Sequence, residues 1–394
     1  MNVVRHLLDT SDKACFCHQL VALENVALPQ LSIAFGSVKA IEALAACRHA
    51  SSLSSKWVAT SSCLDAFSDQ TQTGSHHLAL LQFIDTKGSY GVSGKPSSAE
   101  TVFNDSKQAL HEALEMAKRP GELPALIWCS PSPGLEEGVL AGIKEVVGDE
   151  VPVFGGSCAD DDVTGNWCLF DGNELINNGF IIAVLFPDAP ISFYFSCGYE
   201  ATAYTAEVTA SDGRKIISLD NQPAADVYND WRRSTGMPAL TTGAVLAASA
   251  FNPLGRVIMH DGMPFALLAH PAIMDEAGTM CLFAEIKHGE RVTFMRGDSE
   301  LLVERAATVS DIALKQLTNL HDSAPLAAIV IFCAGCMLAI PNDINRVHSG
   351  IKHALGKVPF IGGYTFGEQG RFADGANKHG NLMISAILFG SSNE

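Results

Sequence analysis

The chain has 394 residues, of which 47% are hydrophobic and 18% are charged, a composition typical of a globular protein with large buried sheets rather than a disordered polymer. Its net charge of −17 argues against nucleic acid and anionic membranes as partners, because a phosphate surface would be repelled. The length exceeds what one ordinary core holds, which predicts two domains.

The chain shows no sign of export or membrane insertion. Residues 1–13 lack the basic segment and apolar run of a signal peptide. Of two apolar runs, 181–195 is broken by prolines, and 326–340 is shorter than the roughly 20 residues that span a bilayer. The 11 cysteines are an odd number scattered among apolar residues, which is typical of reduced, buried thiols. We therefore expect a cytoplasmic protein.

The most informative feature is an internal repeat. The segment VPVFGG at 151–156 recurs as VPFIGG at 358–363, and the helical segments before them, 141–148 and 349–356, are also similar. Apolar strands precede the two copies at 125–130 and 327–335 and follow them at 179–186 and 382–389. A third, fainter copy covers 31–35, 37–46, 56–63 and 77–83. The chain is therefore built from repeated units.

Each copy predicts a strand, a helix, a strand, a glycine-rich loop and a strand, in sheets covered on both faces. Long helices are predicted upstream at 97–118, starting with a Ser97–Glu100 capping box, and at 299–317. We predict an α/β fold of two lobes, built from duplicated strand-helix-strand units with mixed, largely parallel sheets. A boundary near Asp220 would divide the chain into 1–220 and 221–394.

The order of several short segments resembles a known family. In the first lobe, GGSCADDD at 155–162 precedes GFIIAVLF at 179–186. In the second lobe, five segments follow in order: GMPFAL at 262–267, VTFMRGD at 292–298, FCAG at 332–335, VPFIGGYTFGE at 358–368 and KHGNL at 378–382. In this order they resemble the N-terminal and C-terminal halves of the FIST domain family, over about residues 31–389. The resemblance implies a sensory module of signal transduction that binds a small ligand, such as an amino acid, and is not an enzyme.

The architecture is similar to stand-alone FIST proteins, since no output domain is recognised. Some of those are haem-based nitric oxide sensors, which implies haem b as cofactor and a histidine kinase or a cyclic-di-GMP enzyme as partner. His379 and His260 are the preferred axial ligands, because a neutral imidazole ligates haem iron. His270, His348 and His353 compete with them, since b-type haem ligation has no short motif.

The glycine-rich strand exits are the first candidates for ligand contact. Their backbone N–H groups could face a ligand, although a tight exit that needs glycine for close packing is the alternative. Neither exit fits a P-loop or a dinucleotide fingerprint. The candidates are Gly155, Gly156, Ser157, Cys158, Gly362, Gly363 and Tyr364.

Three further residues are candidates. Glu368 and Asn381 stand where the resemblance places a recurrent Gly-Glu and a later Asn, and a carboxylate with an amide could clamp an amino acid. The alternative is a solvated loop acid and a turn residue. Cys333 is expected to line the pocket, and Cys336 stands where the family commonly has Arg. Residues 337–341 are predicted to be irregular, which disfavours a thioredoxin-like pair.

An enzyme is the alternative from another class. Cys158, with Asp160 nearby, is the best nucleophile of a cysteine-dependent hydrolase, but no G-x-S-x-G elbow or compelled histidine partner accompanies it. The acidic triplet at 160–162 lacks the glycine and terminal glutamate of a calcium loop, so it is predicted to be a solvated loop. Three hypotheses therefore stand: a haem sensor, an amino-acid sensor without haem, and a hydrolase.

Overall fold

Three related units and one inserted sheet make up the chain in a computed structural model that describes residues 1–49, 55–70 and 76–392. The first unit runs β1 (Asn2–Asp9), α1 (Lys13–Val26), β2 (Leu31–Gly36), α2 (Val38–His49), β3 (Trp57–Ser61), β4 (Ala66–Ser68) and β5 (His77–Ile84). The second runs β6 (Ser89–Pro96), α3 (Val102–Met116), β7 (Leu126–Pro131), α4 (Glu136–Val147), β8 (Val153–Gly156), β9 (Leu169–Phe170), β10 (Leu175–Ile176) and β11 (Gly179–Phe186).

The third unit begins with β12 (Ile191–Cys197) and is then interrupted by residues 200–296, which we call the insert. The insert contains β13 (Glu200–Asp212), β14 (Lys215–Leu219), β15 (Gln222–Pro223), α5 (Ala224–Ser234), β16 (Gly243–Ala244), α6 (Leu246–Ser249), β17 (Leu254–His260), β18 (Met263–Ala269), β19 (Pro271–Met274), β20 (Met280–Leu282) and β21 (Arg291–Arg296). The unit resumes with α7 (Ser299–Leu320), β22 (Pro325–Cys333), α8 (Ala334–Ala339), α9 (Ile344–Leu355), β23 (Phe360–Thr365), β24 (Glu368–Arg371), β25 (Asn377–Gly380) and β26 (Met383–Gly390).

The three units exchange strands in a cycle. Their sheets have the orders β1-β5-β2-β3-β9-β10, β6-β11-β7-β8-β24-β25 and β12-β26-β22-β23-β4. Strands β9 and β10 of the second unit thus pair in the sheet of the first, and β24 and β25 of the third unit pair in the sheet of the second. Strand β4 of the first unit pairs in the sheet of the third. Three backbone hydrogen bonds link the units just after β3, β8 and β23. The N–H groups of Cys63, Ala159 and Phe366 donate to the carbonyl groups of Tyr364, Ser61 and Ser157, respectively. We call these three units the ring.

The cores follow from the sequence pattern. The first strands β2, β7 and β22 are continuous apolar runs and lie between helices and neighbouring strands, so their central residues are buried. Side chains of different units meet in one core, where the rings of Phe35 and Trp128 lie 6.1 Å apart. The insert has its own core, in which Tyr228 and Trp231 of α5 pack on Phe294. The insert also reaches into the core of the ring, to which it contributes Leu267, Leu268 and Met295.

Most of the predicted architecture is confirmed. The fold is α/β with duplicated units in mixed sheets, and the fainter third copy is a complete unit. Helices α4 and α9 end at Gly148 and Gly356, whose positive φ angles of 71° and 64° suit glycine. The predicted boundary near Asp220 falls inside the insert, between β14 and β15. The division into 1–220 and 221–394 stays a prediction.

Four expectations are corrected. The sheets are not largely parallel, because each sheet of the ring has one parallel pair and its other pairs are antiparallel. Ser97 and Glu100 form no capping box, since α3 begins at Val102 and the Ser97 hydroxyl donates to Asp105. Residues 334–339 form a helix directly after Cys333. Cys17 and Cys47 form a disulfide between α1 and α2, so the cysteines are not all free thiols.

The membrane expectation was tested on the helices. Within residues 1–49, 55–70 and 76–392, no helix combines the length and the apolar character needed to cross a bilayer.

Candidate functional site

A cavity of about 130 Å³ lies where the insert meets the ring. Its wall is mostly apolar, with a few polar groups, which is the usual composition of a small-molecule site. The ring contributes Pro133, Glu136, Val163, Trp167, Cys333, Gly335, Leu338, Phe366 and Asn381, and the insert contributes Arg214, Leu246, His270 and Phe283. Both bodies are therefore needed to form the wall.

Asn381 lines this cavity, and its side-chain amide has an unused donor. It follows β25, and its backbone N–H donates to the Leu268 carbonyl of the insert at 3.0 Å. Its Oδ1 accepts the His270 N–H at 3.4 Å. Its Nδ2 is buried and finds no hydrogen-bond partner among the residues that the structure describes. Because a buried amide without a partner costs free energy, this donor points to a missing ligand atom.

His270 presents an acceptor. Its Nε2 lies 2.8 Å from the Leu246 carbonyl oxygen, which only accepts, so Nε2 carries the hydrogen. Burial lowers the pKa of His270 to about 4, and the ring is therefore neutral at pH 7. The lone pair is then on Nδ1, which lies near Gly335, since a Cβ built there would be 3.6 Å from it. The cavity thus has an imidazole acceptor beside the Asn381 donor.

A charged cluster joins the insert to the ring beside this cavity. Arg214, between β13 and β14, places Nη2 against Oε2 of Glu136 at 2.6 Å and against Oε2 of Glu137. Oε1 of Glu136 accepts from the Ser157 hydroxyl at 2.7 Å, and Oε2 accepts from the Gly134 N–H. The Glu136 side chain is 2% exposed, so these protein groups rather than water compensate its charge.

His379 completes the cluster. It lies in β25 rather than in a loop, and its side chain is 2% exposed. Its Nδ1 is 3.0 Å from Oε1 of Glu137, which also accepts the Glu285 N–H. Burial alone would raise the pKa of Glu137, but His379 and Arg214 hold this pKa well below its usual range. Nδ1 therefore donates to an ionised carboxylate.

One loop of the cavity wall is organised by a buried acid. The Asp160 carboxylate accepts the backbone N–H groups of residues 163–166 at 2.7–3.0 Å. Asp160 is 2% exposed, so the prediction of a solvated acidic loop is wrong for this residue. The loop carries Val163 and Trp167 into the cavity wall, and Val163 has a φ angle of 58°, which is unfavourable for a β-branched residue.

Val163→Gly should raise the free energy of unfolding by about 1 kcal/mol, because glycine adopts this φ angle without a steric penalty. The same change should weaken ligand binding, since it removes an apolar side chain from the wall. Urea unfolding and ligand titration measure the two effects. Val26→Gly, at an exposed helix end, is the matched control and should lose stability. A loss of stability in Val163→Gly would contradict the strain.

The predicted glycine-rich exits are closely packed, Gly155 against β7 of its own unit and Gly156, Gly362 and Gly363 against other units of the ring. A Cβ on Gly155, whose φ is 152°, would meet the Cys129 carbonyl oxygen at 1.8 Å, and one on Gly363 would meet the Phe35 ring at 2.5 Å. Gly156 and Gly362 are equally close to Thr365 and Phe67. These contacts match the close-packing alternative. Ser157 takes part in the charged cluster, and the Tyr364 hydroxyl lies 2.6 Å from Nε2 of His348.

Of the other predicted ligand residues, Asn381 and Cys333 line the cavity and Glu368 does not. Glu368 is fully buried rather than solvated, and it accepts from the Thr365 hydroxyl at 2.7 Å and from the Met383 N–H at 3.0 Å. Burial raises its pKa well above the usual range, assisted by Cys333. Both carboxyl oxygens of Glu368 therefore already accept hydrogen bonds from the protein, and the residue is not a ligand contact in this cavity.

Cys158 is a poor nucleophile. It is fully buried, its Sγ lies 3.8 Å from the Ser132 hydroxyl, and burial raises its thiol pKa well above the ordinary value. In native protein at pH 8 we expect a thiol-directed reagent to label Cys15, which is exposed, and to leave Cys158 unmodified. Peptide mapping after labelling measures this. Modification of Cys158 at the rate of Cys15 would revive the hydrolase.

The two predicted haem ligands are far from equivalent. Nε2 of His379 lies 3.9 Å from Glu136, and a Cβ on Gly367 would be 2.5 Å from this atom, so no flat macrocycle fits over it. The 130 Å³ cavity is lined by neither His379 nor His260. His260 is instead half-exposed at the end of β17, on an open groove of about 280 Å³ with Phe193, Phe195, Phe265 and Arg371.

The sequence reasoning missed Glu136, Glu137 and Arg214, and it considered His270 only as a competing histidine. Glu136 and Glu137 stand in the first turn of α4, where acidic residues are common because they favour a helix N-terminus. Arg214 lies in a hairpin turn, which gives no hint that its side chain reaches another body. A pair of acids directly after a proline- and glycine-rich strand exit was the available signal.

Comparisons with known proteins cover most of the chain. Residues 30–222 match the FIST N domain family, and residues 224–371 match the FIST C domain family. No curated protein matches. Similar solved structures include a cyanuric acid hydrolase from A. caulinodans, with 9% identity over 99% of both chains and a TM-score of 0.42, and a second cyanuric acid hydrolase, with 8% identity over 99% of both chains and a TM-score of 0.38. PurL of T. maritima with FGAR has 10% identity over 77% of this chain and 73% of its own, and a TM-score of 0.23. At these values the likenesses say nothing about what the chain binds.

Proposed function

Because the chain belongs to the FIST domain family, whose members are sensory domains that bind small ligands in signal transduction, we propose that its signal is an amino-acid-sized molecule bound in the cavity between insert and ring. The observation that carries the proposal is the Asn381 Nδ2, a buried donor on the cavity wall with no partner in the described part of the chain. The cavity is close in size to the cavity of about 150 Å³ that holds benzene in an engineered protein.

The polar groups of the cavity suit a zwitterion. Asn381 Nδ2 and the Arg214 guanidinium are donors for a carboxylate, whereas Glu136 and His270 Nδ1 are acceptors for an ammonium group. Charge-assisted hydrogen bonds of this kind are roughly twice as strong as neutral ones. A ligand with only one of the two charges would leave one set of protein groups unmatched.

The apolar part of the wall favours an apolar side chain on the ligand. Trp167 and Phe366 meet edge to face with ring centroids 6.2 Å apart, and Phe283 and Leu338 add further apolar surface. Each buried CH₂ of a ligand contributes about 0.8 kcal/mol on such a surface. Apolar amino acids should therefore bind better than charged or strongly polar ones.

The position of the cavity provides a route to signalling. Its ligand would contact the ring through Asn381 and the insert through His270 and Arg214, so occupancy favours one relative position of the two bodies. We place the output on a partner histidine kinase or cyclic-di-GMP enzyme in the cytoplasm. The activity of this partner enzyme, measured with the protein in the presence and absence of the ligand, tests the proposed output separately.

A thermal-shift screen of the twenty amino acids tests the ligand class. An apolar amino acid at 100 times its Kd should add about 2.7 kcal/mol to the free energy of unfolding, because it binds only the folded state. Asn381→Leu should weaken binding about 10- to 100-fold, since a hydrogen bond to a charged group is lost. No stabilisation by any amino acid, or an unchanged affinity in Asn381→Leu, would refute the proposal.

Haem b is the second candidate, at His260 rather than His379. The supporting observation is the aromatic groove beside His260, which also contains Arg371. Nη1 of Arg371 already donates to the Asp149 and Glu150 carbonyls, so a propionate would use its remaining N–H groups. Bound haem would supply an iron centre for nitric oxide. An absorption spectrum with added hemin tests this. A Soret band that shifts with nitric oxide and is lost in His260→Ala supports the haem sensor, and a protein that takes up no hemin excludes it.

A further inference from the structure

We propose a divalent-cation site of the zinc type between His379 and Glu136, with Glu137 as the residue that positions the imidazole. This site shares Glu136 with the wall of the ligand cavity, but it is formed and tested without the proposed amino acid. Its donors would be Nε2 of His379 and Oε1 of Glu136, which are 3.9 Å apart. Two metal–ligand bonds of about 2.1 Å span such a gap.

The first argument is the orientation of His379. Its Nδ1 donates to Oε1 of Glu137 at 3.0 Å, so in the neutral ring the lone pair is on Nε2. Glu137 is itself held by the Glu285 N–H at 2.9 Å. A carboxylate that accepts from one ring nitrogen while the other binds the ion is the usual outer arrangement of histidine metal ligands.

The second argument is that Nε2 lacks a partner. The imidazole is 2% exposed, and its Nε2 makes no hydrogen bond within the described ranges of the chain. Its neighbour at 3.9 Å is a carboxylate oxygen, which only accepts. Two lone pairs facing each other in a buried site repel unless a cation or a proton lies between them.

The third argument is the space that Gly367 leaves. A Cβ on Gly367 would lie 2.5 Å from Nε2 of His379, 3.1 Å from the Ser157 hydroxyl oxygen and 3.2 Å from Oε1 of Glu136. Three polar atoms therefore converge at Gly367, where no side chain comes between them. The Ser157 hydroxyl oxygen, 2.7 Å from Oε1 of Glu136, is the nearest further donor to an ion in this cluster.

The charges are consistent with a bound cation. Arg214 contacts the Oε2 atoms of both glutamates, which leaves both Oε1 atoms facing His379. The two carboxylates and one guanidinium have a net charge of −1, which a cation at Nε2 of His379 offsets, whether it is a proton or a metal ion. Imidazole with carboxylate is a ligand set that suits zinc better than calcium or magnesium.

The experiment uses the full-length protein, stripped with a chelator and titrated with ZnCl₂ alone in the absence of amino acids. Atomic emission after gel filtration should find one zinc per chain. His379→Gln should lower the affinity at least tenfold, and Glu137→Gln about 10- to 100-fold. His353→Gln, an exposed histidine on α9, is the matched control and should bind as the native protein does.

Gly367→Ala is the second variant, because its Cβ would push the His379 imidazole away from Glu136 without removing a donor. It should abolish zinc binding at some cost in stability, and circular dichroism of the metal-free protein verifies that the fold is retained. Cobalt(II) provides an independent reading, since a nitrogen–oxygen site gives visible absorption bands that should vanish in His379→Gln. A native protein that retains no zinc, or a His379→Gln variant that binds zinc equally well, overturns the site and means that a proton on His379 balances the glutamates. Neither result bears on the ligand cavity.

Discussion

Arg214→Met should lower the free energy of unfolding by about 2–3 kcal/mol, because it leaves a buried carboxylate without its counter-charge. Glu136 is 2% exposed at its side chain and would retain only the Ser157 hydroxyl and the Gly134 N–H as donors. The expected loss lies at the low end of values for buried pairs, since the Arg214 side chain is a quarter exposed. Urea unfolding at pH 7 measures it.

A double-mutant cycle with Glu136→Gln isolates the pair itself. The double variant should lose less stability than the sum of the two single variants, because removal of both charges leaves neither one unmatched. Arg296→Met is the matched control, since the pair of Arg296 and Glu200 is exposed and should change stability by less than about 0.5 kcal/mol. Equal effects of the two arginine variants would contradict the proposed link between insert and ring.

The second large effect concerns acid. The folded pKa of His270 is about 4, below the value of about 6.5 in an unfolded chain, so its contribution is fully present above pH 6.5 and is lost as the pH falls towards 4. At pH 5 the loss due to this residue should be about 2 kcal/mol. His348, whose pKa burial also lowers to about 4, acts in the same direction.

Comparison with His270→Gln makes the effect specific. The variant should lose about 2 kcal/mol less than the native protein between pH 7 and pH 5, as measured by urea unfolding at each pH. Glu368, whose folded pKa is raised, loses stability as the pH rises above its unfolded value, but it does so equally in both proteins. His111→Gln, on the exposed face of α3, is the control. Parallel curves for the native protein and His270→Gln would show that His270 is not buried as a neutral ring.

These effects concern the same boundary, which is also where the cavity lies. Arg214 and His270 belong to the insert, whereas Glu136 and Asn381 belong to the ring. A ligand that neutralises or displaces part of the charged cluster therefore changes the free energy that holds the two bodies together. This coupling provides the differential interaction that a sensor requires.

The repeated units could be predicted from sequence because each unit repeats its own local pattern. Continuous apolar strands, helix stops at Gly148 and Gly356, and the fainter copy at 31–83 all follow from short segments. Strand exchange could not be predicted in this way, since β4 and the hairpin of β24 and β25 pair with strands of other units. The assumption of local pairing is also why the sheets were expected to be largely parallel.

The site was only partly predictable for a similar reason. Asn381 and Cys333 follow strands, so a position at the edge of a sheet was readable, and both line the cavity. Arg214 and His270 reach the site from the insert, across a boundary that no local pattern records. Glycines at the strand exits are candidates for ligand contact, but Gly155 instead allows β7 and β8 to approach closely, and Gly363 allows the third unit to approach Phe35 of the first. Glycine suits both close packing and ligand contact, so the sequence alone did not distinguish the two.

The most direct test of the central claim is calorimetric titration of the best amino acid from the screen into the native protein and into Leu338→Trp. Leu338 lines the cavity and is 42% exposed, so tryptophan should fill the cavity without disturbing the core. Leu320→Trp, at the exposed end of α7, is the matched control. The account predicts one site per chain, retained in Leu320→Trp and lost in Leu338→Trp. Equal affinity in both variants would show that the ligand binds elsewhere.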